Sequence, residues 1–151
     1  MKETPVSEFM SRDLTAASKE MPLTELVTLF KENKVRGLPV TDEDNRLLGV
    51  VTERDIFLKE KGVPFSLETV PTLLGQVIDK ADIDQVELCR QVTVEDVMRA
   101  NVATVTETDT LEDVGMLMYE EKRALVPVVK NDKLVGVVRR IHVLREIYTD
   151  D

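Results

Sequence analysis

The chain has 151 residues, 42% hydrophobic and 32% charged, enough apolar matter for one domain or two half-domains sharing a core. Its net charge of -9 argues against nucleic-acid binding, because gripping phosphates needs a basic surface and here the charges sit in mixed-sign clusters. A single cysteine (Cys89), a single histidine, no Gly-rich phosphate loop and no 18-residue apolar run or apolar leader predict a cytoplasmic, non-catalytic protein with no metal site, no internal disulfide and no membrane span.

A one-turn helix is expected over residues 6–10, then an irregular stretch ending in Leu14, Thr15 and Ala16. The next helix starts at Pro22, whose missing N–H costs nothing at a first helical position. Leu23, Leu26, Leu29 and Phe30 recur at spacings of three and four, which gives that helix an apolar stripe. Leu38, Pro39 and Val40 read as a strand, and Asp42, Glu43, Asp44 and Asn45 as a turn. A second strand over residues 47–51 and a short helix over 53–61 follow. Residues 62–93 form a connection too long to be structureless in a compact domain. Leu73, Leu74, Val77, Ile78 and Ala81 predict helices over 71–79 and 83–90, as a flanking linker or as a lid or dimer surface.

The whole order then repeats. Val6 falls on Val94, Met10 on Met98, Leu23 on Leu111, Leu29 on Leu117 and Pro39 on Pro127 without a gap. After one deletion, Gly49 falls on Gly136. The second copy predicts a turn of helix over 94–98, a helix from Thr110 with Asp113 completing a shortened capping box, strands over 125–129 and 134–138, and a helix over 140–148. The fold class is α/β (α+β), two β-α-β-β-α repeats at 6–61 and 94–149 around an insert at 62–93. Two such copies fold against each other across a pseudo-two-fold axis, so sites are expected in pairs.

Thr52 and Asp55 stand three apart at a strand-to-helix junction, with Arg54 between them. A carboxylate there can accept from both hydroxyls of a ribose, and Thr52 with the turn N–H groups can meet a phosphate. The same Thr-x-x-Asp spacing is also an ordinary helix cap. Both readings stand on spacing alone.

The paired motifs V-S-E-F-M and V-E-D-V-M, R-G-L-P-V and A-L-V-P-V, and the stretch L-L-G-V-V-T-E-R-D resemble the CBS (cystathionine beta-synthase) domain family in tandem form, the CBS pair or Bateman module. The resemblance implies a regulatory module that binds an adenosine-containing ligand and alters an unknown effector protein. AMP, ADP or ATP lead the ligand choices, with S-adenosylmethionine or a reduced dinucleotide behind them, and no cofactor is required. It assigns Thr52, Arg54 and Asp55 to the ligand. The base would lie near Val102, Ala103, Thr104, Ala124, Leu125 and Pro127, where the two alanines leave room for a flat ring. The plainer alternative is that some of these are core residues. In the second copy Arg139 stands opposite Thr52 and His142 opposite Asp55. With Thr15, Ala16, Arg36, Gly37 and Pro39, that second cleft would suit phosphate groups better than a nucleoside, or stay empty. A homodimer is implied, with a seam at Ile56, Phe57 and Leu58 and at Val143, Leu144, Ile147 and Tyr148. The competing reading is a constitutive dimerisation or scaffold module with degenerate sites.

Overall fold

In the computed structural model, which describes residues 2–58 and 92–148, the expected periodicities become elements in the expected order. A 3-10 turn, Val6–Glu8, precedes helix α1 (Leu23–Asn33), strands β1 (Gly37–Thr41) and β2 (Leu47–Thr52), and helix α2 (Glu53–Leu58). The second copy gives α3 (Val94–Val97), β3 (Arg99–Ala100), α4 (Leu111–Glu121), β4 (Leu125–Lys130), β5 (Lys133–Arg139) and α5 (Arg140–Tyr148). The helices expected over 71–79 and 83–90, and the end of the helix expected over 53–61, lie outside the described residues.

Helix starts follow local hydrogen-bond needs. Thr110 caps α4 as expected: its hydroxyl accepts from the Asp113 N–H at 3.3 Å, and the Asp113 carboxylate accepts from the Thr110 N–H at 2.9 Å. Pro22 corrects its expectation. It is the N-cap of α1 in extended conformation, not the first helical residue. The Pro22 carbonyl accepts from Glu25 and Leu26 at 3.0 Å, while the Leu23 N–H reaches outside the helix to the Val92 carbonyl at 3.2 Å. Both long helices end on a lysine in the left-handed region, Lys34 and Lys122.

The chain divides into two compact units. Unit I comprises Met1–Ala16, Thr41–Leu48 and Asn101–Asp151, and unit II comprises Ala17–Val40 and Gly49–Ala100. Each unit thus takes the leading segment that the sequence order assigns to the other repeat.

Unit I is built on the β4–β5 antiparallel hairpin, which runs from Leu125 opposite Arg139 to Val128 opposite Gly136 and, after a register shift between Val128 and Val129, to Lys130 opposite Lys133. Asn131 and Asp132 both have positive φ, 53° and 67°, the backbone that a two-residue turn with matching twist requires. Ser11 pairs with Val137 and Val105 with Val128, so the irregular stretches add β structure. Val6, Val105, Leu111, Val114, Val126, Val128, Val138 and Val143 form the core. Each such side chain contributes ~1.5–3 kcal/mol on burial.

Unit II holds β1, β2 and β3 in that order, with Gly49 opposite Ala100 and Val50 opposite Arg99. Leu23, Leu26, Phe30, Leu38, Val51, Ile56, Val94 and Val97 are buried in it. Gly49 is fixed by proximity: a Cβ there would collide with the Arg99 carbonyl. In unit I, Gly136 faces the Ser11 carbonyl, and a Cβ would lie 2.6 Å from it. These two glycines let the short leading segments approach the central strands.

The expected dimer seam needs correction. Ile56 is 6% exposed and Val143 9% exposed, so both face cores rather than solvent. The 3.6-residue period of α5 puts Ile141, Leu144 and Tyr148 outside once Val143 is inside, and Ile147, near the end of the helix, is exposed as well. Among the described residues, no helix is long and apolar enough to cross a membrane.

Candidate functional site

Thr52 ends β2 and Asp55 lies in the first turn of α2. Asp55 Oδ2 accepts twice from Thr52, from its N–H at 2.8 Å and from its hydroxyl at 3.0 Å. Local capping therefore explains half of the pair. Other Thr-x-x-Asp pairs do the same, Thr93 with Asp96 and Thr110 with Asp113, and Asp109 accepts from the Thr106 N–H alone.

Two properties separate Asp55 from those pairs. It is 3% exposed, whereas Asp96, Asp109 and Asp113 cap exposed positions. Its second oxygen, Oδ1, accepts from Arg99 Nε at 2.7 Å. Burying a lone carboxylate is costly, and the guanidinium offsets that cost with a charge-assisted bond. Arg99 reaches Asp55 because β3 pairs with β2 and places Arg99 opposite Val50. Arg54 and Glu53 are exposed, and the Glu53 N–H donates to the Arg36 carbonyl at 2.9 Å. Arg36 itself is exposed, while Gly37 and Pro39 are buried in β1.

The equivalent position in unit I keeps the cap and changes the chemistry. His142 Nδ1 accepts from the Arg139 N–H at 2.9 Å, the bond that Asp55 makes to Thr52. An accepting Nδ1 requires the neutral imidazole protonated on Nε2. Burial, with the charges of Arg139 and Arg145, holds this imidazole below the usual histidine range. Burial also lowers the Arg139 guanidinium, and the Asp13 charge opposes that. Asp13 Oδ1 accepts from the Thr15 hydroxyl at 2.7 Å and the Thr15 N–H at 3.0 Å. Those bonds, with the Arg139 charge, hold the Asp13 carboxyl below its ordinary range. Unit I thus gathers Thr15, Asp13, Arg139 and His142, a set with no carboxylate at the position equivalent to Asp55.

Ala103 and Val102 are half-buried in unit I, Thr104 and Ala124 are exposed, and Leu125 and Pro127 are buried in β4. Ala16 is half-buried there too. The Pro127 carbonyl accepts from the Val105 N–H at 3.1 Å. Arg123, 7% exposed, donates through one terminal nitrogen to the Ala103 carbonyl at 3.4 Å.

Arg99, Asp13 and Arg123 are polar residues at these positions that the motifs did not single out. Arg99 occupies the place of Ser11 in the other copy. That unequal pair, next to the repeat-start methionine, was the available signal.

The sequence model of the CBS domain matches residues 6–61 and 94–149, and the chain belongs to that family, with two copies in tandem. The CBS domain-containing protein CBSX1 of Arabidopsis thaliana is 31% identical over 148 residues, covering 93% of this chain and 62% of that protein. The protein MJ1225 of Methanocaldococcus jannaschii is 23% identical over 146 residues, covering 97% of this chain and 44% of that protein. This chain spans less than two thirds of either relative. The structure of CBSX2 from Arabidopsis thaliana in complex with AMP superposes with a TM-score of 0.72 at 26% identity, covering 97% of both chains. The CBS domain of a membrane protein from Sphaerobacter thermophilus gives 0.75 at 23% identity, covering 95% of this chain and 88% of that one, a likeness in fold.

Proposed function

We propose that this CBS pair is a non-catalytic regulatory module that binds an adenosine-containing nucleotide and passes its occupancy to a partner protein. The observation that carries this reading is Asp55: a buried carboxylate at a strand-to-helix junction, held by more than a cap requires. A fixed carboxylate can accept hydrogen bonds from a ribose diol. The AMP carried by CBSX2, 26% identical over nearly the whole chain, supports AMP, ADP or ATP ahead of S-adenosylmethionine. Residues 102–104 and 124–127 of unit I are candidates for a base-reading surface, with Ala103 and Ala124 small enough to admit a ring. The set Thr15, Arg139 and His142 of unit I is the weaker, phosphate-favouring candidate, and Arg36, Gly37 and Pro39 of unit II are candidates on the resemblance alone. Regulation then requires that the ligand favour one of two conformations of the module or its partner.

Calorimetric titration with AMP, ADP, ATP and S-adenosylmethionine, for the natural chain and for Asp55→Ala, tests the reading. One hydrogen bond to a charged group contributes ~1.5–3 kcal/mol, so the variant should bind about one to three orders of magnitude more weakly. Equal affinity of both proteins for every ligand would remove Asp55 from the site. A second reading, a constitutive dimerisation module with degenerate sites, is favoured by the loss of the carboxylate at His142 and by the exposed apolar face of α5.

A further inference from the structure

The acceptor capacity of Asp55 is almost spent before any ligand arrives. A carboxylate offers about four lone-pair positions. Thr52 takes two, both on Oδ2, and Arg99 takes one on Oδ1. One position remains, and a ribose diol donates two hydrogen bonds. Arg99 is the partner able to leave. The Thr52 bonds are built into the helix start, whereas the Arg99 side chain is 44% exposed and extends from a two-residue strand. Arg99 uses only Nε on Asp55.

We propose that Arg99 is a specificity-determining residue that makes this site select phosphorylated over unphosphorylated nucleosides. The inference rests on the assignment of Asp55 to the ribose. A nucleoside that takes Oδ1 displaces the guanidinium and gives it nothing in return. A nucleotide displaces it and supplies a phosphate, an acceptor that the planar fork of arginine matches in charge and geometry. The exchange of one anion for another is then nearly balanced for the nucleotide and unfavourable for the nucleoside. In unit I the place equivalent to Arg99 holds Ser11, which carries no charge.

The test is titration of the natural chain, Arg99→Ala, Arg99→Lys and Asp55→Ala with AMP and with adenosine. The natural chain should prefer AMP by about tenfold or more, the scale of one charge-assisted hydrogen bond. In Arg99→Ala adenosine should bind several-fold more tightly and AMP more weakly, so that the preference falls to about twofold or less. Arg99→Lys, which keeps the charge without the fork, should retain part of the preference. Because the removed side chain is half exposed, water can reach Asp55 in its place, and a cooperative thermal transition confirms that the variant is folded. If Arg99→Ala does not fold, the Arg99→Lys ratio decides: an AMP preference equal to that of the natural chain overturns the proposal, a reduced one supports it. AMP binding that is lost in Asp55→Ala but keeps its full preference in Arg99→Ala overturns the role of Arg99 and leaves the nucleotide site intact. AMP binding unaffected by Asp55→Ala, or no binding of either ligand by any of these proteins, overturns both.

Discussion

His142 shows how one residue can keep a structural duty while its chemistry changes. It takes the helix-start bond that an aspartate takes in the other repeat, and it can do so only as a neutral ring. Its proton affinity in the folded state lies below the usual value of 6.5. As pH falls below that value the unfolded chain binds a proton that the folded chain resists, so stability declines, down to the lowered folded-state value. Above it both states are neutral and no pH dependence arises from this group. His142→Asn supplies an amide oxygen for the same bond and does not titrate. Melting temperatures followed from about pH 7.5 to about pH 5.5 should therefore fall further for the natural chain than for His142→Asn. A constant difference across that range would show that the histidine is not coupled to folding. Asp13, whose carboxyl is held low, loses its contribution only at more acid pH, below its ordinary value of 3.8, and does not confuse the comparison.

Elements were the most legible scale of this chain, because most of their information is local. The capping box at Thr110 needs only a hydroxyl and a carboxylate three apart, and the structure forms both of its bonds. Thr110→Ala should cost about 1 kcal/mol and lower the melting temperature by roughly 2–4 °C, read by calorimetry. A change within error would mean that packing of Leu111 and Val114 alone sets the start of α4. Pro22 was misplaced by one residue because its position depends on a partner distant in sequence, the Val92 carbonyl, which holds the Leu23 N–H. Arg99 escaped for the same reason on a larger scale. Its role exists only because Gly49 lets β3 lie against β2, and the partner it meets, Asp55, belongs to the other repeat. Motif spacing found Asp55, since strand, threonine and carboxylate are contiguous; nothing contiguous marks the cation that holds it. The same limit applies to Ile56, which reads as exposed from a short run of apolar residues and is buried in the folded chain.

At the scale of the whole molecule, the unanswered surface is the outer stripe of α5. Ile141 and Leu144 are 48% exposed and Tyr148 79%, at spacings of three, four and seven on one helix, and Ile147 at their edge is 40% exposed. Scattered apolar residues on a surface need no explanation, but four on one stripe form a patch. Neighbouring α4 adds Met116 and Tyr119, 51% and 81% exposed. A stable interface covers roughly 800 Å² per partner, more than four side chains supply, so α4 and polar rim residues must share in it. Opposing this, each chain carries a net charge of -9, and like charges repel at low salt. The expectation is a homodimer of 17.1 kDa chains whose association strengthens as salt rises toward physiological strength. Light scattering at micromolar concentration should give twice the chain mass, and Leu144→Asp combined with Tyr148→Asp should give the chain mass with an unchanged thermal transition. Both positions are exposed, so these changes place charge in the seam without opening a core. A monomeric natural chain across the salt range would refute the dimer. A dimer that survives both substitutions would move the seam away from α5.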